Sequence, residues 1–152
     1  MLEVGQLAPD FSLYNQDEEK ISLKDYLGKN IVLYFYPKDD TSGCTKEACS
    51  FRDNIPKFSK ADAAILGVSP DSVKSHKKFS EKYKLPFSLL ADEEKKVIGQ
   101  YGVWKEKSLY GRKYMGVERT TFIIDEKGKL KKIFNKVKVD GHETEILDAL
   151  KD

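Results

Sequence analysis

With two cysteines and two histidines in 152 residues, the sequence is poor in the groups that build disulfide frameworks and metal cages. Two cysteines cannot staple a scaffold, and His76 and His142 stand far apart among polar residues, with no metal-ligand spacing to either cysteine. Both histidines therefore read as surface residues, and no metal or other cofactor is expected. Long apolar runs are also absent, since none approaches the ~20 residues of a membrane span. The opening Met1-Leu-Glu-Val-Gly5 has neither the basic flank nor the apolar core of a secretory leader, so the expected location is cytoplasmic, with no membrane partner. No sign of charge predominates. Lys and Arg number 27 against 25 Asp and Glu, a net charge of +2, too balanced for a general attraction to nucleic acid or an acidic membrane surface. The glycine-containing loops carry neither a Walker pattern nor a dinucleotide fingerprint, and no repeat or low-complexity tract interrupts the chain.

What is present is a composition of 39% hydrophobic and 34% charged residues, suited to one domain over residues 1–152 with a sizeable core. Ile31-Val-Leu-Tyr-Phe-Tyr36 is a continuous β-branched and aromatic run, stopped by Pro37 and a polar loop, and reads as a buried strand. From Cys44 the apolar or small residues fall at Cys44, Ala48, Phe51, Ile55 and Phe58, the spacing of one helical face, with Pro56 set to weaken or kink the element. Ala63–Val68 is a second buried strand, and Ser69–Ser72 supplies turn and cap residues for a helix through about Tyr83. Strands at Phe87–Leu90 and Thr120–Ile124, a short helix at Glu93–Tyr101, a hairpin turn at Asp125–Gly128 into Lys129–Phe134 and a final helix at Glu143–Leu150 follow. Phe11–Tyr14 and Lys20–Leu23 pair as a small N-terminal β-hairpin. Trp104 and Tyr110–Tyr114 lie between these elements and either border a site or pack a loop. The alternation predicts an α/β domain, a mixed central sheet flanked by helices, which is the class that includes thioredoxin-like folds.

Cys44 falls in the first turn of its predicted helix, where free backbone N–H groups and the helix dipole favour an anion. That placement suits a reactive thiolate, although a buried structural cysteine fits the same apolar stripe. Cys49 follows five residues on. On a regular helix that spacing sets the Cα atoms roughly 8.7 Å apart, whereas a disulfide needs under about 7 Å. If the two sulfurs pair, the helix must open.

The stretch from Tyr36 to Asp53, with Pro37, Thr41 and Cys44 in a Pro-x-x-x-Thr-x-x-Cys pattern and Cys49 five residues on, resembles the active-site segment of peroxiredoxins of the peroxiredoxin Q, or bacterioferritin comigratory protein, group. Gly5–Leu13 is similar to that family's opening Gly-x-x-Ala-Pro-x-Phe-x-Leu, and Glu118–Asp125 to its arginine-bearing strand, so the resemblance runs over nearly the whole chain.

The resemblance implies a thioredoxin-like fold and a thiol-dependent peroxidase acting on hydrogen peroxide and small organic hydroperoxides. Cys44 is implied as the attacking thiolate, Thr41 as a hydroxyl bonding the sulfur and the peroxide, and Arg119 as a permanent cation with planar donors. Pro37 would cover the sulfur, and Glu47, one turn beyond Cys44, would orient the arginine, with Arg52 as a further member of that network. Against these roles stand plainer ones: Thr41 as a helix cap, Pro37 as a strand end, Arg119 as a surface ion pair. Cys49 is implied to resolve the oxidised Cys44 as an intramolecular disulfide, recycled by thioredoxin or a similar dithiol reductant. A monomer or weak dimer is expected. The alternatives are a thioredoxin-like dithiol exchanger, which usually carries Cys-x-x-Cys, and a redox-switched interaction protein.

Overall fold

The computed structural model of the chain describes residues 2–151. Met1 and Asp152, the ends of the domain expected over 1–152, lie outside them. The elements run β1 (Ser12–Tyr14), β2 (Lys20–Ser22), β3 (Asn30–Phe35), α1 (Ser42–Asp53), α2 (Ile55–Lys60), β4 (Ala63–Ser69), α3 (Val73–Tyr83), β5 (Ser88–Ala91), α4 (Lys96–Gln100), β6 (Trp104–Leu109), β7 (Arg112–Val117), β8 (Thr120–Ile124), β9 (Leu130–Phe134) and α5 (His142–Leu150). Seven strands form one sheet in the order β2-β1-β5-β4-β3-β8-β9. β3, β4 and β5 run parallel, because α1 with α2 and then α3 serve as crossovers. β8 lies antiparallel to β3 and β9 to β8, as the Asp125–Gly128 turn requires. The N-terminal hairpin β1–β2 joins the other edge through Tyr14 opposite Ala91.

Side chains alternate across β3, and both faces are buried. Leu33 and Phe35 enter a core with Phe11, Leu66, Val68, Ile98, Tyr101 and Phe122. Val32, Tyr34 and Tyr36 face the other way, onto Cys44, Ala48 and Phe51 of α1, Phe58 of α2, Phe79 of α3 and Ile146 of α5. The strand that ends at the cysteine loop is therefore anchored from both sides.

Four expectations are corrected. The single helix drawn from Cys44 to Phe58 is two helices, broken at Asn54, and Pro56 sits in the first turn of α2, where a missing N–H costs little. The short helix expected from Glu93 begins only at Lys96, after the left-handed Lys95, with the Ile98 N–H bonded to Asp92 Oδ2 at 2.7 Å. The Trp104–Tyr114 region is largely a two-stranded hairpin, β6–β7, turning through Tyr110 and Gly111, both at positive φ, as tight two-residue turns require. Finally, the two histidines are not at the surface: His76 is 0% and His142 1% exposed. Each ring is matched by partners from distant segments, His76 by Asp39 Oδ2 (2.7 Å) and the Leu90 carbonyl (3.1 Å), His142 by Thr121 Oγ1 (2.7 Å) and by Glu145 Oε1 (2.6 Å) one turn on.

Candidate active site

Thr41 is the extended residue before α1, and Cys44 is the third residue of the helix, among the N–H groups that lack intrahelical partners. The helix side packed on β3 carries Cys44, Glu47, Ala48 and Phe51, so the cysteine and the glutamate share one buried face. Cys44 is 1% exposed. From the crossing between β7 and β8, Arg119 donates through Nη2 to Cys44 Sγ at 3.2 Å and through Nη1 to Glu47 Oε1 at 2.6 Å. Gly43 makes room for this fork, since a Cβ there would lie 3.3 Å from Arg119 Nη2.

The electrostatics follow from burial. Burial pushes the Glu47 carboxyl up to about 7, even though Arg119 pulls the other way through its charge and hydrogen bond. Burial also works against the Arg119 charge, but Glu47 and Cys44 outweigh it and its pKa is raised. Glu47 Oε2 and the Tyr34 hydroxyl are both buried with no hydrogen-bond partner among the described residues. Tyr34 reaches this region from β3, its phenol raised well above the ordinary range by burial and then by Glu47 and Cys44. Its ring fits because position 67 is glycine: a Cβ there would lie 2.9 Å from Tyr34 Cζ.

Other expected residues are placed differently. The Thr41 hydroxyl donates to the Lys38 carbonyl at 2.9 Å and bonds neither the sulfur nor the helix N-terminus. Pro37 is half-buried between β3 and that loop. Cys49 is a half-buried free thiol on the same intact helix as Cys44, also free. Arg52 does not join Arg119 and Glu47: its Nε pairs with Asp53 Oδ1 (2.9 Å) and its Nη1 bonds the Tyr83 carbonyl (2.8 Å).

Three features escaped the sequence. Tyr34 was within reach, because alternation along β3 puts it on the helix-facing side with Val32 and Tyr36. Lys107, on the unforeseen β6, has its pKa lowered by burial and by Arg119, and no local pattern marks it. The third is the loop anchor: Asp39 accepts Tyr36 OH (2.5 Å), Ser75 Oγ (2.8 Å) and His76 Nδ1 (2.7 Å), and its N–H bonds Asp71 Oδ2 (2.8 Å). Asp39, Asp71 and His76 bring ligand-type atoms together, but both Asp39 oxygens already have protein partners, so the cluster reads as the tie that fixes the loop bearing Pro37 and Thr41.

A sulfur held beside a fixed guanidinium, buried and near a helix start, is equipped to be a nucleophile whose negative charge is matched throughout the reaction. Comparison with known proteins points the same way. The model of the AhpC/TSA family matches residues 4–133. Peroxiredoxin Bcp of Bacillus subtilis is 54% identical over 151 residues, 99% of this chain and 96% of that protein. Peroxiredoxin Bcp of Escherichia coli is 43% identical over 151 residues, 99% and 97% of the two chains. Among solved structures, the Xanthomonas campestris bacterioferritin comigratory protein, which has alkyl peroxide reduction activity, superposes with a TM-score of 0.91 at 40% identity, covering 98% of each chain. Xylella fastidiosa PrxQ gives a TM-score of 0.94 at 35% identity over 99% of this chain and 96% of that one.

Proposed function

The chain belongs to the AhpC/TSA family, as a thioredoxin-like peroxiredoxin and thiol-dependent peroxidase, and on that premise we propose that Cys44 attacks the peroxide and Cys49 resolves the product. The observation that carries this reading is the 3.2 Å bond from Arg119 to Cys44 Sγ at the third residue of α1.

The Cys44 thiolate attacks the terminal oxygen of ROOH, the O–O bond breaks, and RO⁻ leaves and takes up a proton as ROH; the sulfur becomes a sulfenic acid, S–OH. Arg119 offers donors at the place where charge moves from sulfur to oxygen. Thr41, its proton committed to the Lys38 carbonyl, acts toward the peroxide as an acceptor, orienting the O–H of the substrate. Pro37 shields the sulfur and Glu47 holds Arg119. Cys49 then displaces water from the sulfenic acid, giving the disulfide, and a thioredoxin-like dithiol returns two electrons and two protons by exchange. The same reading takes hydrogen peroxide and small organic hydroperoxides as substrates and a monomer or weak dimer in the cytoplasm as the working form. No helix among the described residues is long and apolar enough to cross a membrane. A dithiol exchanger is disfavoured, because Cys-x-x-x-x-Cys stands here in place of the usual Cys-x-x-Cys.

The test is peroxide consumption with a thioredoxin system. Cys44→Ser is expected to abolish it; Cys49→Ser is expected to give one oxidation event and then stalled recycling or overoxidation. Full turnover by Cys44→Ser would show that another residue is the nucleophile.

A further inference from the structure

A bond between Cys44 and Cys49 cannot form on α1 as it stands, and the segment that must unwind to allow it contains Glu47. That carboxylate is 1% exposed, three residues after one sulfur and two before the other. Among the described residues its one hydrogen bond is that from Arg119 to Oε1, and Oε2 has none. Opening the helix therefore removes a half-satisfied buried acid from the protein and returns it to water. We propose that Glu47 is a positioning residue that sets how readily α1 opens: seated, it holds Arg119 on Cys44 for attack; released, it frees the segment for Cys49, and the open form gains as pH rises. The proposal rests on Cys49 being the resolving thiol.

The groups that face Glu47 are Arg119 from the crossing before β8, Tyr34 from β3 and Cys44 of its own helix. Lys107 of β6 and His142 of α5 act at one remove, each on Arg119. Arg119 favours the ionised carboxylate directly, and it does not cancel the burial that raises Glu47 to about 7. In the opened segment the group returns to an ordinary value of ~4.3. The closed helix thus binds the extra proton: its stability is greatest at low pH, is lost as pH rises toward about 7, and then levels off. The expected change in the opening equilibrium is about tenfold per pH unit within that window. A helix closed too firmly would leave the sulfenic acid waiting for a second peroxide and hence for sulfinic acid.

The test is hydrogen exchange on the full chain carrying Cys44→Ser and Cys49→Ser, which removes the titration of both thiols, from pH 5 to 8.5. After correction for intrinsic exchange, protection at residues 44–50 is expected to fall about tenfold per pH unit up to about pH 7, while protection of the β3 amides stays level. Adding Glu47→Gln is expected to abolish the slope. A level profile in the Glu47 protein overturns the proposal without recourse to the variant, and so does a slope that survives Glu47→Gln. With both cysteines present, Glu47→Gln at pH 8 is expected to form the disulfide several-fold more slowly and to accumulate more sulfinic acid. If the slope is found but no Cys44–Cys49 disulfide ever forms, the assignment of Cys49 fails while the opening mechanism stands; if the disulfide forms and the slope is absent, the mechanism alone fails.

Discussion

Arg119 Nη2 lies 3.2 Å from Cys44 Sγ although 75 positions separate the two residues in the chain. The strand crossing fixes the approach: the Arg119 carbonyl accepts the Val137 N–H at 2.9 Å, and Thr120 Oγ1 bonds the Glu118 carbonyl at 2.9 Å. The guanidinium serves two acceptors at once through a planar fork, which a lysine ammonium at the end of a flexible stem cannot reproduce. Arg119→Met is therefore expected to slow the attack on peroxide by about 10²-fold or more, the scale of losing a preorganised donor. Arg119→Lys is expected to recover only a small part. Stopped-flow oxidation of Cys44 measures this directly, and a Lys variant at the wild-type rate would show that charge alone suffices.

The Thr41 hydroxyl donates to the Lys38 carbonyl, not to the sulfur. The loop around it is tied through Asp39 to His76. Thr41→Val, which keeps the shape and removes the acceptor, is expected to raise KM and lower kcat/KM by one to two orders of magnitude, roughly the 1–3 kcal/mol of an unmade hydrogen bond. Thr41→Ser is expected to stay close to wild type. Equal activity in the Val variant would leave Thr41 only a part in loop structure.

How far the sequence could be read depended on whether the deciding contacts were local. β8 was expected at Thr120–Ile124 and lies there, because five successive buried residues admit little else. The helix after Cys44 ends earlier than its apolar spacing predicts, because Ile55 and Phe58 continue the apolar face while the break at Asn54 leaves almost no mark on that spacing. The β6–β7 hairpin has little local signature, because Lys105, Glu106 and Ser108 give no strand-like apolar alternation; pairing and the left-handed turn at Tyr110-Gly111 decide it. The burial of the histidines is hidden for a related reason: their neighbours in sequence are polar, but their burial is set by partners such as Asp39 and Thr121, contributed by other segments. In the site, Cys44, Glu47 and Arg119 could be singled out by resemblance and by helix spacing. The two unpartnered atoms beneath them, Tyr34 OH and Glu47 Oε2, are a property of packing alone.

His142 supplies a second pH dependence, of opposite sign to that of Glu47. Its ring lies between Phe51 of α1 and Phe134 of β9, with centroids at 6.3 and 5.3 Å, and burial lowers its pKa despite the opposing bond to Glu145. An unfolded chain takes up this proton near the ordinary ~6.5, before the folded one does, so the contribution of neutral His142 is present above that pH and is lost as pH falls through the depressed folded value. Glu47 acts the other way over the neighbouring range, favouring the folded protein as pH falls. The two partly offset each other in the wild-type stability curve, and substitutions separate them. His142→Gln is expected to cost most at pH 7 and above and progressively less toward pH 5, whereas the stabilisation from Glu47→Gln is expected to be largest at high pH. Urea unfolding at a series of pH values, with m unchanged between variants, measures both. A cost of His142→Gln that is independent of pH would mean that the ring is protonated equally in the folded and unfolded chains, which its enclosure by Phe51 and Phe134 argues against.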